Sequence, residues 1–204
     1  RDYNTVDMSN HTLWEVYLPP FKAAVDAGAA TFMNAFNTLN GVPATGNTYL
    51  QRDILKGQWK YTGFVVSDWG SIGEMIAHGY AKDKAEAAEL ALKAGSDMDM
   101  ESRSYLPNLE QLVKDKKVTV GLIDDAVRRI LRKKFELGLF DDPYRFSNES
   151  RQEKELNSAE NRKAALTMAE RSIVLLKNQN QVLPLAKDLK KIAVIGPLAK
   201  SEKD

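Results

Sequence analysis

Apolar and polar positions change period several times along the chain, and each change marks an element. Over residues 9–28 the period is helical. Leu13, Val16 and Tyr17 share a face, Thr12 and Glu15 have capping-box spacing, and Gly28 is a good stop. Pro19 and Pro20 cannot donate backbone hydrogen bonds and are expected to break this stretch, with a second helix over 21–27. Residues 30–37 read as a strand, and 38–43 as a loop by its turn residues. Asn47 is placed to cap a helix over 48–56, stopped near Gly57. The next strand is 63–68, followed by a short helix over 72–78. Asp83 and Glu86 form a second capping-box pattern ahead of a helix over 85–94, which Gly95 ends. Residues 96–100 (SDMDM) are strand-like but acidic. Two longer amphipathic helices, 105–116 and 121–137, follow, and Leu122, Ala126, Val127, Ile130 and Leu131 make a clear stripe on the second. Residues 141–151 are polar and read as a linker. Beyond it lie a helix over 157–170, an apolar run at 173–176 that reads as a strand, a polar turn leading to Val182-Leu183-Pro184-Leu185, and a run at 192–197 that reads as a strand entering a tight turn.

Strands alternating with helices imply βαβ units and a parallel sheet, hence an α/β fold. About three strands between residues 9 and 138 are too few for a closed eight-stranded barrel. The chain opens on Arg1 rather than Met and looks like an excerpt of a longer one, with the missing half of the sheet expected before residue 1.

The length of 204 residues fits one large domain, or one domain and part of another. Basic and acidic residues nearly balance, 29 against 28, so nothing recruits nucleic acid. No apolar run is long enough to span a membrane. With no cysteine there is no disulfide, thiol nucleophile or thiolate-bound metal. His11 and His78 lack ligand spacing, so neither a metal nor a cofactor is expected.

The stretch GFVVSDWG (63–70) carries the candidate chemistry. A buried apolar run breaks abruptly into Ser67, Asp68, Trp69 and Gly70. Asp68 reads either as the cap of the next helix or as a carboxylate set where a buried strand surfaces. Parity puts it in line with Phe64 and Val66.

MNAFNTLNGVPATGN (33–47), GFVVSDWG (63–70), AGSDMDM (94–100) and RSIVLLKNQNQVLPL (171–185) occur here in the order seen in glycoside hydrolase family 3, and the chain resembles that family over nearly its whole length. ILRKKFELGLFDDPY (130–144) is similar to the segment closing the family's barrel domain. The resemblance implies the C-terminal half of a (β/α)8 TIM-type barrel over 1–140, a linker over 141–155 and the first elements of an α/β sandwich domain over 156–204. It also implies an exo-acting retaining β-glycosidase, β-glucosidase-like, with Asp68 as nucleophile and Trp69 lining the sugar site. Retaining enzymes use two carboxyl groups about 5–5.5 Å apart, one attacking C1 and the other serving as acid and then base. None of Glu74, Asp97, Asp99 and Glu101 matches the family's acid/base position. Asp97 and Asp99 are expected to bond neighbouring loops. Glu101 is a rim-loop candidate for sugar contact and Met33 a candidate pocket wall. Phe36 stands where the family often has tyrosine, so it keeps the ring and drops the hydroxyl.

The expected partners are a β-glycoside or oligosaccharide and the rest of the same polypeptide, or a second copy through an open sheet edge. Alone, the 204 residues are expected to be inactive. The resemblance implies a periplasmic or extracellular bacterial location. Two alternatives stay open: a β-N-acetylglucosaminidase of the same family, and a non-catalytic carbohydrate-binding or structural half-barrel.

Overall fold

Parallel pairing is the first consequence of alternating apolar strands and helices, and it organises the computed structural model, which describes residues 3–201. Among these residues are five short strands: β1 (Thr5–Val6), β2 (Thr31–Met33), β3 (Thr38–Leu39), β4 (Val42–Pro43) and β5 (Phe64–Val66). β2 lies parallel to β5, with Thr31 opposite Phe64 and Met33 opposite Val66. Val66 in turn makes a parallel bridge to Met98. The segments that leave β2, β5 and Met98 therefore emerge at one end of the sheet. The strand runs over 30–37 and 63–68 are present, but shorter than their apolar patterns, and 96–100 contributes only the single bridge at Met98.

The presumed loop 38–43 is a hairpin. β3 pairs parallel with β1 and antiparallel with β4. Asn40 and Gly41 sit at φ +50° and +81°, as a two-residue type I′ turn requires. The Asn40 side chain also bonds both backbone groups of Met8, at 2.9 and 3.0 Å.

The expected break at Pro19-Pro20 does not occur. Helix Asn10–Thr12 passes through a wide turn, Leu13–Tyr17, into helix Leu18–Asp26, with the prolines in its first turn. The Leu18 amide reaches back five residues to Leu13. Widening the turn ahead of the prolines absorbs both their missing donors and their steric demand. The cap is Ser9, not Thr12: the Thr12 amide donates to Ser9 Oγ at 3.1 Å.

The core of the first unit forms around helix Lys84–Ala94, whose Ala87, Ala88, Ala91 and Leu92 are fully buried. Small side chains let neighbouring helices approach closely. Asp83 caps it, accepting from the Glu86 amide at 2.8 Å, and Gly95 ends it at φ +112°. Gly63, at the entry to β5, allows a different close approach. A Cβ there would stand 2.2 Å from Tyr61 Oη and 2.3 Å from the Ala30 carbonyl, so no larger residue fits.

Two compact units divide between Phe146 and Ser147. The second contains helices Glu149–Glu155 and Ala159–Ser172. The strands expected at 173–176 and 192–197 are not formed. Ile173 is 77% exposed and Ile195 91%. An apolar run becomes a strand only beside another strand that takes its backbone bonds, and none flanks these runs among the described residues. No helix among the described residues is long and apolar enough to cross a membrane.

Candidate active site

A charged frame holds the entry to β5. Arg129 donates to the Tyr61 and Gly63 carbonyls, each at 2.9 Å, and is itself held by Asp125 at 3.1 Å. On the buried side, Lys56 Nζ lies 2.6 and 2.7 Å from the two oxygens of Asp97 and 2.7 Å from the Gly95 carbonyl. Asp97 also accepts the Val65 amide at 2.8 Å. Burial pushes the Lys56 ammonium down to about 8, against the pull of Asp97. Burial likewise pushes the Asp97 carboxyl up, against the attraction of Lys56. This pair ties helix segment Tyr49–Gln58 to β5 and to the segment that leads into the Met98 bridge.

At the far end of β5 the backbone turns sharply. The Ser67 amide donates to the Met98 carbonyl at 2.9 Å, and the Gly70 amide to Met100 at 2.8 Å. Gly70 takes φ +73° ahead of helix Ser71–Glu74. Asp68 is half-buried on this turn. Its Oδ1 accepts the Trp69 amide at 2.6 Å, which fixes one oxygen. Among the described residues Oδ2 accepts no hydrogen bond. Asp68 therefore does not cap the following helix with its side chain: the Ser71 amide bonds its backbone carbonyl, at 3.1 Å.

The other candidates fall around this rim. Trp69 is 64% exposed and offers an open indole face. Met33 ends β2 opposite Val66, two residues before Asp68, and is also exposed. Glu101 is exposed at φ +73°, next to Met100, which holds Gly70. The parallel register thus brings Met33, Asp68, Trp69 and Glu101 to one end of the sheet. Phe36 stacks on Tyr3, ring centroids 4.8 Å apart, so it packs against the N-terminal segment. Tyr3 Oη in turn lies 3.2 Å from Glu74 Oε1.

Asp97 and Asp99 are committed elsewhere. Asp99 accepts from Ser102 Oγ at 2.6 Å, the Ser104 amide at 2.7 Å and the Tyr105 amide at 3.1 Å, anchoring the loop that follows Met98. A pocket of about 170 Å³ between β2 and helix Leu18–Asp26 is apolar, lined by Phe21, Phe32, Met33 and Ile54, and neither Asp68 nor Trp69 borders it. Its chemistry is packing. Among the described residues no cluster of three or more His, Asp or Glu could hold a metal ion. The pattern did not reveal Lys56 as the partner of Asp97, nor the bonds of the Ser67 hydroxyl. A lysine inside a helix facing an acidic strand was the available signal for the first.

Comparison with known proteins identifies the family. The model of the Glycosyl hydrolase family 3 N terminal domain matches residues 1–133, and that of the family's C-terminal domain matches 173–204. The chain is 45% identical over 207 residues to a periplasmic beta-glucosidase of Salmonella typhimurium, covering 100% of this chain and 27% of that protein. It is 42% identical over 208 residues to a beta-xylosidase of Formosa agariphila, covering 97% of this chain and 28% of the relative. A solved beta-glucosidase from Listeria innocua in complex with glucose superposes with a TM-score of 0.74 at 42% identity, covering 91% of this chain and 25% of that one. The chain spans about a quarter of the length of these proteins.

Proposed function

Because the chain belongs to glycosyl hydrolase family 3, we propose that it is part of an exo-acting retaining β-glycosidase, β-glucosidase-like, that releases terminal non-reducing β-linked sugars. The observation that carries this is Asp68, a half-buried carboxylate at the end of a parallel strand, one oxygen held and the other open. Barrel enzymes place catalytic groups at that end of their strands. In this reading residues 1–140 are the C-terminal half of a (β/α)8 barrel, 141–155 a linker and 156–204 the start of an α/β sandwich. The match of the C-terminal family model at 173–204 supports the two-domain form.

In the first step an oxygen of Asp68 bonds to C1 of the sugar as the glycosidic C1–O bond breaks. The departing oxygen takes a proton from a carboxylic acid. In the second step that group, now a carboxylate, removes a proton from water, the water oxygen bonds to C1, and the C1–Asp68 bond breaks. Two displacements at C1 leave the product with β configuration. Since Asp97 and Asp99 are held by their hydrogen bonds, the acid/base is assigned to a carboxyl elsewhere in the polypeptide. Trp69 would cover the sugar's C–H face, Met33 and Phe36 would form wall, and Glu101 would reach a sugar hydroxyl. The periplasmic relative supports export to that compartment.

The stereochemical course tests the mechanism. Proton NMR of the full-length polypeptide acting on an aryl β-glucoside is expected to show the β-anomer of glucose first, with the α-anomer growing in by mutarotation. Direct appearance of the α-anomer contradicts it.

A further inference from the structure

Ser67 is fully buried, yet its hydroxyl is engaged on both sides of the Asp68 turn. Its Oγ donates to the Asp68 carbonyl at 3.0 Å and accepts the Met100 amide at 2.8 Å. The Asp68 carbonyl receives a second donor, the Ser71 amide, at 3.1 Å. That carbonyl belongs to the same planar peptide unit as the Trp69 amide, and in a trans peptide C=O and N–H point in opposite directions. Fixing the carbonyl with two donors therefore aims the Trp69 N–H the other way, where it meets Asp68 Oδ1 at 2.6 Å. The hydroxyl also joins this peptide to Met100, in a loop that Asp99 anchors through Ser102, Ser104 and Tyr105.

We propose that Ser67 is a positioning residue for the Asp68 carboxylate: its hydroxyl sets the plane of the 68–69 peptide, and that peptide's N–H holds Oδ1 so that Oδ2 faces the sugar. The inference rests on the reading of Asp68 as nucleophile. Reactive groups must be held within a fraction of an ångström, and a displacement of about 1 Å costs about a hundredfold in rate.

The test uses the full-length polypeptide with an aryl β-glucoside. Ser67→Ala is expected to lower kcat by about ten- to a hundredfold with KM within about twofold of the parent. Ser67→Cys, which keeps a weak donor in a similar volume, is expected to fall between the two. Thr45→Val is the structural control. It removes another buried hydroxyl bond nearby, from Thr45 Oγ1 to Ser71 Oγ at 3.0 Å, without touching the 68–69 peptide. It is expected to lower the melting temperature while leaving kcat unchanged. Wild-type kcat in Ser67→Ala overturns the proposal, as does a kcat loss in Thr45→Val that matches it. Asp68→Ala separates this from the parent reading. If Asp68→Ala still turns over, the nucleophile assignment fails. If Asp68→Ala is dead and Ser67→Ala is unimpaired, only the positioning role fails.

Discussion

Asp68→Ala in the full-length polypeptide is expected to lower kcat/KM for an aryl β-glucoside by about 10³- to 10⁵-fold, about 4–7 kcal/mol of lost transition-state stabilisation. The loss should be kinetic and not structural. Asp68 is half-buried on a rim turn and, among the described residues, its carboxylate bonds only the next residue's amide, so the melting temperature should move little. The vacated space admits a small anion. Azide should restore turnover partially, attacking C1 from the face Asp68 leaves open while the leaving oxygen takes its proton from the acid. A single displacement then gives the α-glycosyl azide, readable by NMR. Turnover of Asp68→Ala within about tenfold of the parent contradicts the assignment.

The second large effect lies at the other end of β5. Asp97→Ala is expected to destabilise the fold by about 3–5 kcal/mol, because it strands a buried ammonium. The Lys56 and Asp97 side chains are 5% and 1% exposed, and Asp97 also satisfies the Val65 amide. Burial disfavours both charges. The native Lys56 value of about 8 lies below its ordinary 10.5, so between those values the unfolded chain binds more protons. This group's contribution to stability therefore rises as pH climbs from about 8 to 10.5. The native Asp97 value is raised, so its contribution is full at low pH and falls as pH rises through the native value. Both directions say that holding the ionised pair costs free energy that mutual attraction only partly offsets. The double variant Lys56→Met/Asp97→Asn removes both charges and keeps an acceptor for Val65. It is expected to recover most of the loss seen in Asp97→Ala. Denaturant titrations of the parent and both variants measure this. A double variant as unstable as the single one would show that the pair itself holds the sheet together.

The elements legible in the sequence are those set by residues close together in the chain. The Asp83 cap, the stop at Gly95 and the helix between them depend on neighbours within a few positions. The abrupt change from Val66 to Asp68 marks the end of β5 for the same reason. The resemblance through 33–47, 63–70 and 94–100 supplied what periodicity did not, the chemistry expected of Asp68. Illegible features are set at a distance. Lys56 meets Asp97 across 41 positions and Ser67 meets Met100 across 33, and neither spacing has a local signature. The prolines misled because they fall in the first turn of helix Leu18–Asp26, where a missing amide donor costs little, and the turn before them widens to Leu13. Asn40-Gly41 looked like a loop because two-residue strands on either side are too short to show alternation. Residues 173–197 misled in the opposite way: their pattern is strand-like, but pairing requires a neighbour.

Mass spectrometry after trapping tests the nucleophile most directly. The full-length polypeptide is incubated with an activated 2-fluoro β-glucoside, digested and sequenced. The fluorine slows both displacements and the activated leaving group rescues the first, so the glycosyl-enzyme accumulates. The predicted result is one 2-fluoroglucosyl adduct, on Asp68, formed in step with loss of activity. An adduct on a different carboxylate, with Asp68 unmodified in the inactivated enzyme, would contradict the account.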